Sequence, residues 1–170
     1  MDNEITNKVA QSALTEFNLE EYYPQGERLL LDIKDQLFQG LILREKDFRE
    51  FVKTHNWAIY QDNYVAITCT ADAIVPTWAY MLLATALSPV AKSFVFGNLE
   101  VLETVLFTQA LSKINPEFYQ GKRIVIKGCS KVPVPASAYV ELTRILRPVA
   151  QSIMYGEACS TVPLYKKPRT

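Results

Sequence analysis

A chain of 170 residues, 49% hydrophobic and 21% charged, has the size of about one domain, with enough apolar surface for a core and too much for a disordered chain. Eighteen basic residues balance eighteen acidic ones, and a zero formal net charge argues against a dedicated nucleic-acid binder. One histidine and three widely separated cysteines exclude a zinc finger, and no catalytic signature is present.

The chain begins with an amphipathic segment. Ile5, Val9, Ala13 and Phe17 recur at four-residue steps, which predicts a helix over Asn3–Phe17. Asp2, Glu4, Glu16 and Glu20 exclude a signal peptide there. The three cysteines are therefore expected as free thiols in the cytoplasm. Leu29–Phe38 reads as strand and Leu43–Thr54 as helix. Tyr64–Thr68 is a short strand rich in β-formers. Pro76–Leu87 reads as a helix with proline in its first turn and Pro89 as its stop. Lys92–Phe96 is again strand, closed by Gly97, and Leu99–Ile114 is a long helix. Arg123–Lys127, Pro135–Leu146 and Gln151–Tyr155 repeat strand, helix and strand, and Tyr165–Arg169 reads as a solvated tail.

The uncharged run Ala73–Ala91 has the length at which a membrane helix is considered, about 18 residues. Pro76 and Pro89 cut its helical part to a span of about 20 Å, short of the ~30 Å hydrocarbon core. No membrane span is expected.

Sliding the chain on itself by 59 residues aligns Asn56–Asn98 with Asn115–Glu157 without a gap, and 15 of 43 pairs are identical. They include Tyr60/Tyr119, Pro76/Pro135, Tyr80/Tyr139, Pro89/Pro148 and Gly97/Gly156. Convergent α/β patterning would match apolar classes rather than both prolines, so an internal duplication is expected. The fold class is α/β: a largely parallel sheet with helices on both faces, plus the N-terminal helix. The expected organisation is a single domain over 1–170, with the N-terminal helix in 1–20, copy one in 33–91, copy two in 92–150 and a final strand and tail in 151–170. Leu82, Thr85 and Ser88 of copy one stand where copy two has Glu141, Arg144 and Arg147. That uncharged face calls for a cover, either the N-terminal helix or a second subunit, which makes a homodimer a candidate.

Ligands of open α/β sheets sit beyond the carboxyl ends of the strands. Cys69, Cys129 and Cys159 all follow strands there. Soft thiolates bind zinc or iron–sulfur units, so these three cysteines are the candidate metal ligands, with Asp72, Ser130 and Lys131 in support. Cys129 has the most reactive setting, between Gly128 and Lys131 before a helix start. The competing account is packing, because free cysteine often behaves as a small buried hydrophobe. Asp72 and Ser137 serve equally as helix caps. His55 falls on the opposite rim, at a helix C-terminus, and does not complete a cysteine–histidine pair. A hydrolase or transferase using Asp72, Ser130 and Lys131 has the residues without a recognisable geometry.

Four segments carry a resemblance that spans nearly the whole chain: Asp72–Tyr80 (DAIVPTWAY), Lys122–Cys129 (KRIVIKGC), Ser137–Leu142 (SAYVEL) and Ser152–Lys166 (SIMYGEACSTVPLYK). In these the chain resembles an uncharacterised bacterial domain-of-unknown-function family, often encoded near iron–sulfur cluster assembly genes. The resemblance implies no activity or catalytic residue. It implies a cytoplasmic accessory role near iron–sulfur or sulfur metabolism, with a protein partner in that assembly. The alternative is a non-catalytic binding or self-associating scaffold whose cysteines are structural.

Overall fold

Apolar β-formers on adjacent segments build the central strands, and their alternation decides which side each helix takes. The computed structural model describes residues 14–127, 131–157 and 159–168. In chain order these carry β1 (Leu14–Asn18), β2 (Arg28–Asp32), α1 (Glu45–Thr54), β3 (Tyr64–Thr68), α2 (Thr77–Leu87), β4 (Ser93–Phe96), α3 (Leu99–Leu111), β5 (Arg123–Lys127), α4 (Ala136–Leu146), β6 (Ser152–Glu157) and β7 (Ser160–Lys166). The architecture is mixed α/β, and every strand pairing is parallel except that of β6 with β7. The chain forms two sheets where one was expected, in the orders β2-β3-β4 and β1-β5-β6-β7. The inner strands have separate neighbours: β3 lies between β2 and β4, and β5 between β1 and β6.

The sheets belong to two compact units. One comprises residues 25–106; the other runs up to Pro24 and resumes at Phe107. In the first unit Val65 and Ile67 of β3 pack with Phe48 of α1 and Ala79, Leu83 and Leu87 of α2. Tyr64 and Ala66 point the other way, to Leu102 and Leu106 of α3. All four β3 residues are buried because helices cover both faces. In the second unit Ile124 and Ile126 of β5 pack with Ala138, Leu142 and Leu146 of α4 and with Phe107 and Leu111 of α3.

The bounds of the elements recur at a constant step. Adding 59 to β3 and α2 reproduces the limits of β5 and α4, and the first residue of β4 maps to that of β6. The short 3-10 turns Trp57–Tyr60 and Pro116–Tyr119 obey the same step, each capped by an asparagine side chain, Asn56 or Asn115. Asp62 N–H donates to Val90 O at 2.9 Å, and Gly121 N–H to Val149 O at 2.8 Å. Phe48 and Phe107, one step apart, are both fully buried.

Several expectations change. Leu14–Asn18 is a strand paired in parallel with β5, so the helix expected through Phe17 does not include residues 14–17; residues 3–13 lie outside those described. Phe17 is instead a core residue, stacked on Tyr22 with ring centroids 4.9 Å apart. The strand expected over Leu29–Phe38 ends at Asp32, where the Asp32 carboxylate accepts from Lys34 N–H and turns the chain into Lys34–Gln36. Pro76 and Pro135 stand at the N-cap rather than in the first turn, and neither helix has a side-chain cap, so Asp72 and Ser137 do not cap them. The expected tail Tyr165–Arg169 begins as the end of β7, with Tyr165 opposite Ile153 and Lys166 opposite Ser152. Among the described residues Thr85 and Ser88 are exposed, and their hydroxyls donate to the carbonyls of Leu82 and Ala84, both at 2.7 Å. Among the described residues no helix is long and apolar enough to cross a membrane.

Candidate functional site

The carboxyl ends of β2 and β3 lie side by side, with Asp32 opposite Thr68. Thr70, just past β3, donates to the Asp32 carboxylate through its backbone N–H at 3.1 Å and its hydroxyl at 2.5 Å. Lys34 N–H adds a third bond at 3.1 Å. Burial pushes the Asp32 pKa up, but these bonds and the Lys34 ammonium outweigh it, and the net direction is down. The result is a fixed carboxylate that ties two strand ends together.

Cys69 lies between these strand ends and the core. It is half-buried, with Sγ 3.9 Å from Ala71 O. The nearby Tyr80 phenol is held above its ordinary pKa by burial first, then by Cys69 and Asp32. Asp72 is exposed on the same loop. Cys159 belongs to the other unit, exposed in the turn between β6 and β7 rather than past the last strand. Lys131 donates its backbone N–H to the Glu20 carboxylate at 2.9 Å. Cys129 and Ser130 lie outside the described residues. Among the described residues no three His, Cys, Asp or Glu side chains gather closely enough to hold a metal.

His55 caps the C-terminus of α1 and sits among Phe51, Trp57 and Tyr60 at centroid distances of 4.9, 4.8 and 5.8 Å. Burial lowers its pKa.

The structure adds a feature that no sequence motif announces. Between α2 and β4 runs an apolar groove of about 450 Å³. Its walls include Ile67, Thr77, Tyr80, Met81, Ala84 and Phe96. In the other unit a groove of about 360 Å³ is walled by Ile126, Ala136, Tyr139, Val140, Thr143 and Tyr155. Each of these six positions is its counterpart plus 59. Both grooves are edged by a T-shaped aromatic pair: Tyr80–Phe96 at 4.8 Å and Tyr139–Tyr155 at 5.8 Å. Apolar residues sit open to solvent in both, with Met81 65% and Val140 71% exposed. The repeat itself was the available signal: Tyr80 and Tyr139 are an identical pair that points into a groove rather than a closed core.

The second unit differs at the edge. There β7 runs antiparallel beside β6, and Leu164 lines the groove. Among the described residues β4 has no such neighbour.

Comparison with curated proteins and with solved structures returns no match. A family model, by contrast, matches residues 3–167, nearly the whole chain that forms both units and both grooves, and the chain belongs to that family, described as protein of unknown function (DUF2480).

Proposed function

We propose that the chain is a non-catalytic binding protein, built by internal duplication, whose two apolar grooves receive extended apolar segments. The duplication reading is supported by element bounds, caps and backbone hydrogen bonds that recur at a step of 59 residues. One observation carries the binding reading: the same six positions wall a groove in each unit, and each groove leaves large apolar side chains in water. Concave, mostly apolar clefts with a few polar groups are the usual form of a binding site. The polar groups here are the Tyr80 and Tyr139 phenols and the Thr77 and Thr143 hydroxyls. Leu164 of β7 shows the kind of group that suits such a groove: an aliphatic side chain delivered from an extended strand.

The test is a fluorescence titration of dilute protein with the uncharged apolar dye Nile red. Saturable binding is expected, reduced by Met81→Lys in one groove and by Val140→Lys in the other, and nearly abolished by both together. Both side chains are mostly exposed, so lysine there is compatible with the fold. Absence of saturable binding, or binding untouched by the double variant, overturns the reading.

A further inference from the structure

The difference between the two sheet edges points to an occupant for the first groove. In the second unit β6 is covered by β7, with Val162 opposite Tyr155 and Leu164 in the groove. In the first unit, among the described residues, the equivalent strand β4 ends its sheet, and its equivalent residue Phe96 is 67% exposed. The sequence of β4, Ser-Phe-Val-Phe, has no charge and no proline, two of the devices that protect an edge from pairing. The formal net charge of the chain is zero, so two copies approach without net repulsion.

We propose that β4 pairs antiparallel with β4 of a second copy, giving a two-fold dimer with a continuous six-stranded sheet. This rests on the groove reading above and names the partner for one groove. The antiparallel direction matches that of β7 on β6. A two-fold axis perpendicular to the sheet keeps each face on its own side, so paired positions must differ by an even number of residues. Val95 opposite Val95 of the second copy meets that condition and also sets Phe94 opposite Phe96. Shifting to Phe94 opposite Phe94 would instead place Phe96 against Lys92. The first register sets apolar side chains opposite one another at positions 94, 95 and 96, leaves only Ser93 opposite Gly97 at each end, and fixes the pairing. Phe94 and Phe96 lie on the face of β4 that walls the groove, so each copy brings an aromatic side chain to the rim of the other's groove. A ladder this short buries little area, and Tyr80, Met81 and Phe96 supply the additional apolar contact that a specific interface needs.

Sedimentation equilibrium of the full chain from about 1 to 100 µM tests this. The wild type is expected to form a dimer in that range. Phe96→Lys and Met81→Lys are each expected to weaken association at least ten-fold, whereas Val162→Lys, on the edge already closed by β7, leaves it unchanged. Thermal melts by circular dichroism identify any variant that has lost its fold; Met81, on a helix surface, provides the second route if Phe96→Lys does. A wild type that stays monomeric to 100 µM overturns the dimer, and so does a dimer that survives both groove variants. Dye titration separates this from the groove reading. Saturable dye binding by a monomeric chain leaves the groove reading standing and the dimer refuted. For a dimer, dye uptake at the Met81 groove falls as protein concentration rises, and uptake at the Val140 groove does not.

Discussion

Asp32 and Asn18 hold matching places at the ends of β2 and β1, because Arg28 and Leu14 pair with Tyr64 and Arg123 in their own sheets. Each side chain accepts a hydrogen bond from the backbone two residues on: Asn18 from Glu20 at 3.0 Å, Asp32 from Lys34 at 3.1 Å. The charge on Asp32 is thus unnecessary for the turn and matters for Thr70, whose hydroxyl and amide both donate to it. Replacing Asp32 with Asn is expected to destabilise the protein by about 1 kcal/mol at pH 7, the scale of a charge-assisted bond at a partly solvated site. The native carboxyl titrates below its ordinary value, so its contribution is complete above about pH 4 and disappears as pH falls through the lowered native pKa. Denaturant unfolding of both proteins from pH 7 to pH 3 should show the gap closing at the acid end. A gap that is constant across that range would show that the charge on Asp32 contributes nothing. Neither residue stands out in the sequence, because their partners lie one strand away and no spacing announces them. The cysteines stand out by residue type alone, and type does not reveal that Cys69 and Cys159 belong to separate units.

At the level of elements, the sequence is most legible where apolar pattern and punctuation coincide. Tyr64–Thr68 and Arg123–Lys127 have the expected limits, and both groove helices begin one residue after their proline. It is least legible where a strand forms for lack of alternatives. Leu14–Asn18 has helical spacing but lies along β5, where ladder bonds and the burial of Phe17 outweigh local pattern. Strand β7 is hidden by Pro163, which is tolerated because β7 is an edge strand with a register shift beside it. The hairpin joining β6 to β7 also depends on Gly156. Its φ is 121°, and a Cβ there would lie 2.6 Å from Ser160 O, a backbone atom that cannot move aside cheaply. Gly121, with φ of 68°, has open space where a Cβ would stand, with nothing within 4 Å. Gly121→Ala is therefore expected to cost roughly 1–2 kcal/mol from the left-handed backbone alone. Gly156→Ala should cost more, because the backbone clash adds to an equally unfavourable φ. Equilibrium unfolding in urea measures both, and an equal cost for the two would remove the close approach as a factor.

For the whole molecule, helix α3 has a place that no other helix among the described residues shares. Its Leu102 and Leu106 complete one face of the first core, while its Phe107 and Leu111 belong to the second core, so the division between units falls within a single helix. Leu43 and Phe48 stand 59 residues before Leu102 and Phe107, and all four are buried. The consequence of the shared helix is that damage inside α3 should reach both sheets, whereas damage inside α2 should stay in the first. Val105, half-buried in the middle of α3, is the position to break: proline there removes a helix hydrogen bond and clashes with the preceding turn, at a cost of about 3 kcal/mol or more. Thr85→Pro imposes the same lesion on α2, whose core residues Ala79, Leu83 and Leu87 all belong to the first unit. Native-state hydrogen exchange reads the outcome strand by strand. With Val105→Pro, amides of both β3 and β5 should lose protection, as the Leu106 and Phe107 anchors loosen together. With Thr85→Pro, β3 should lose protection by a much larger factor than β5. Protection lost in only one of the two strands in the Val105 variant would mean that the two ends of α3 are held independently, and that the two cores share a helix in sequence but not in stability.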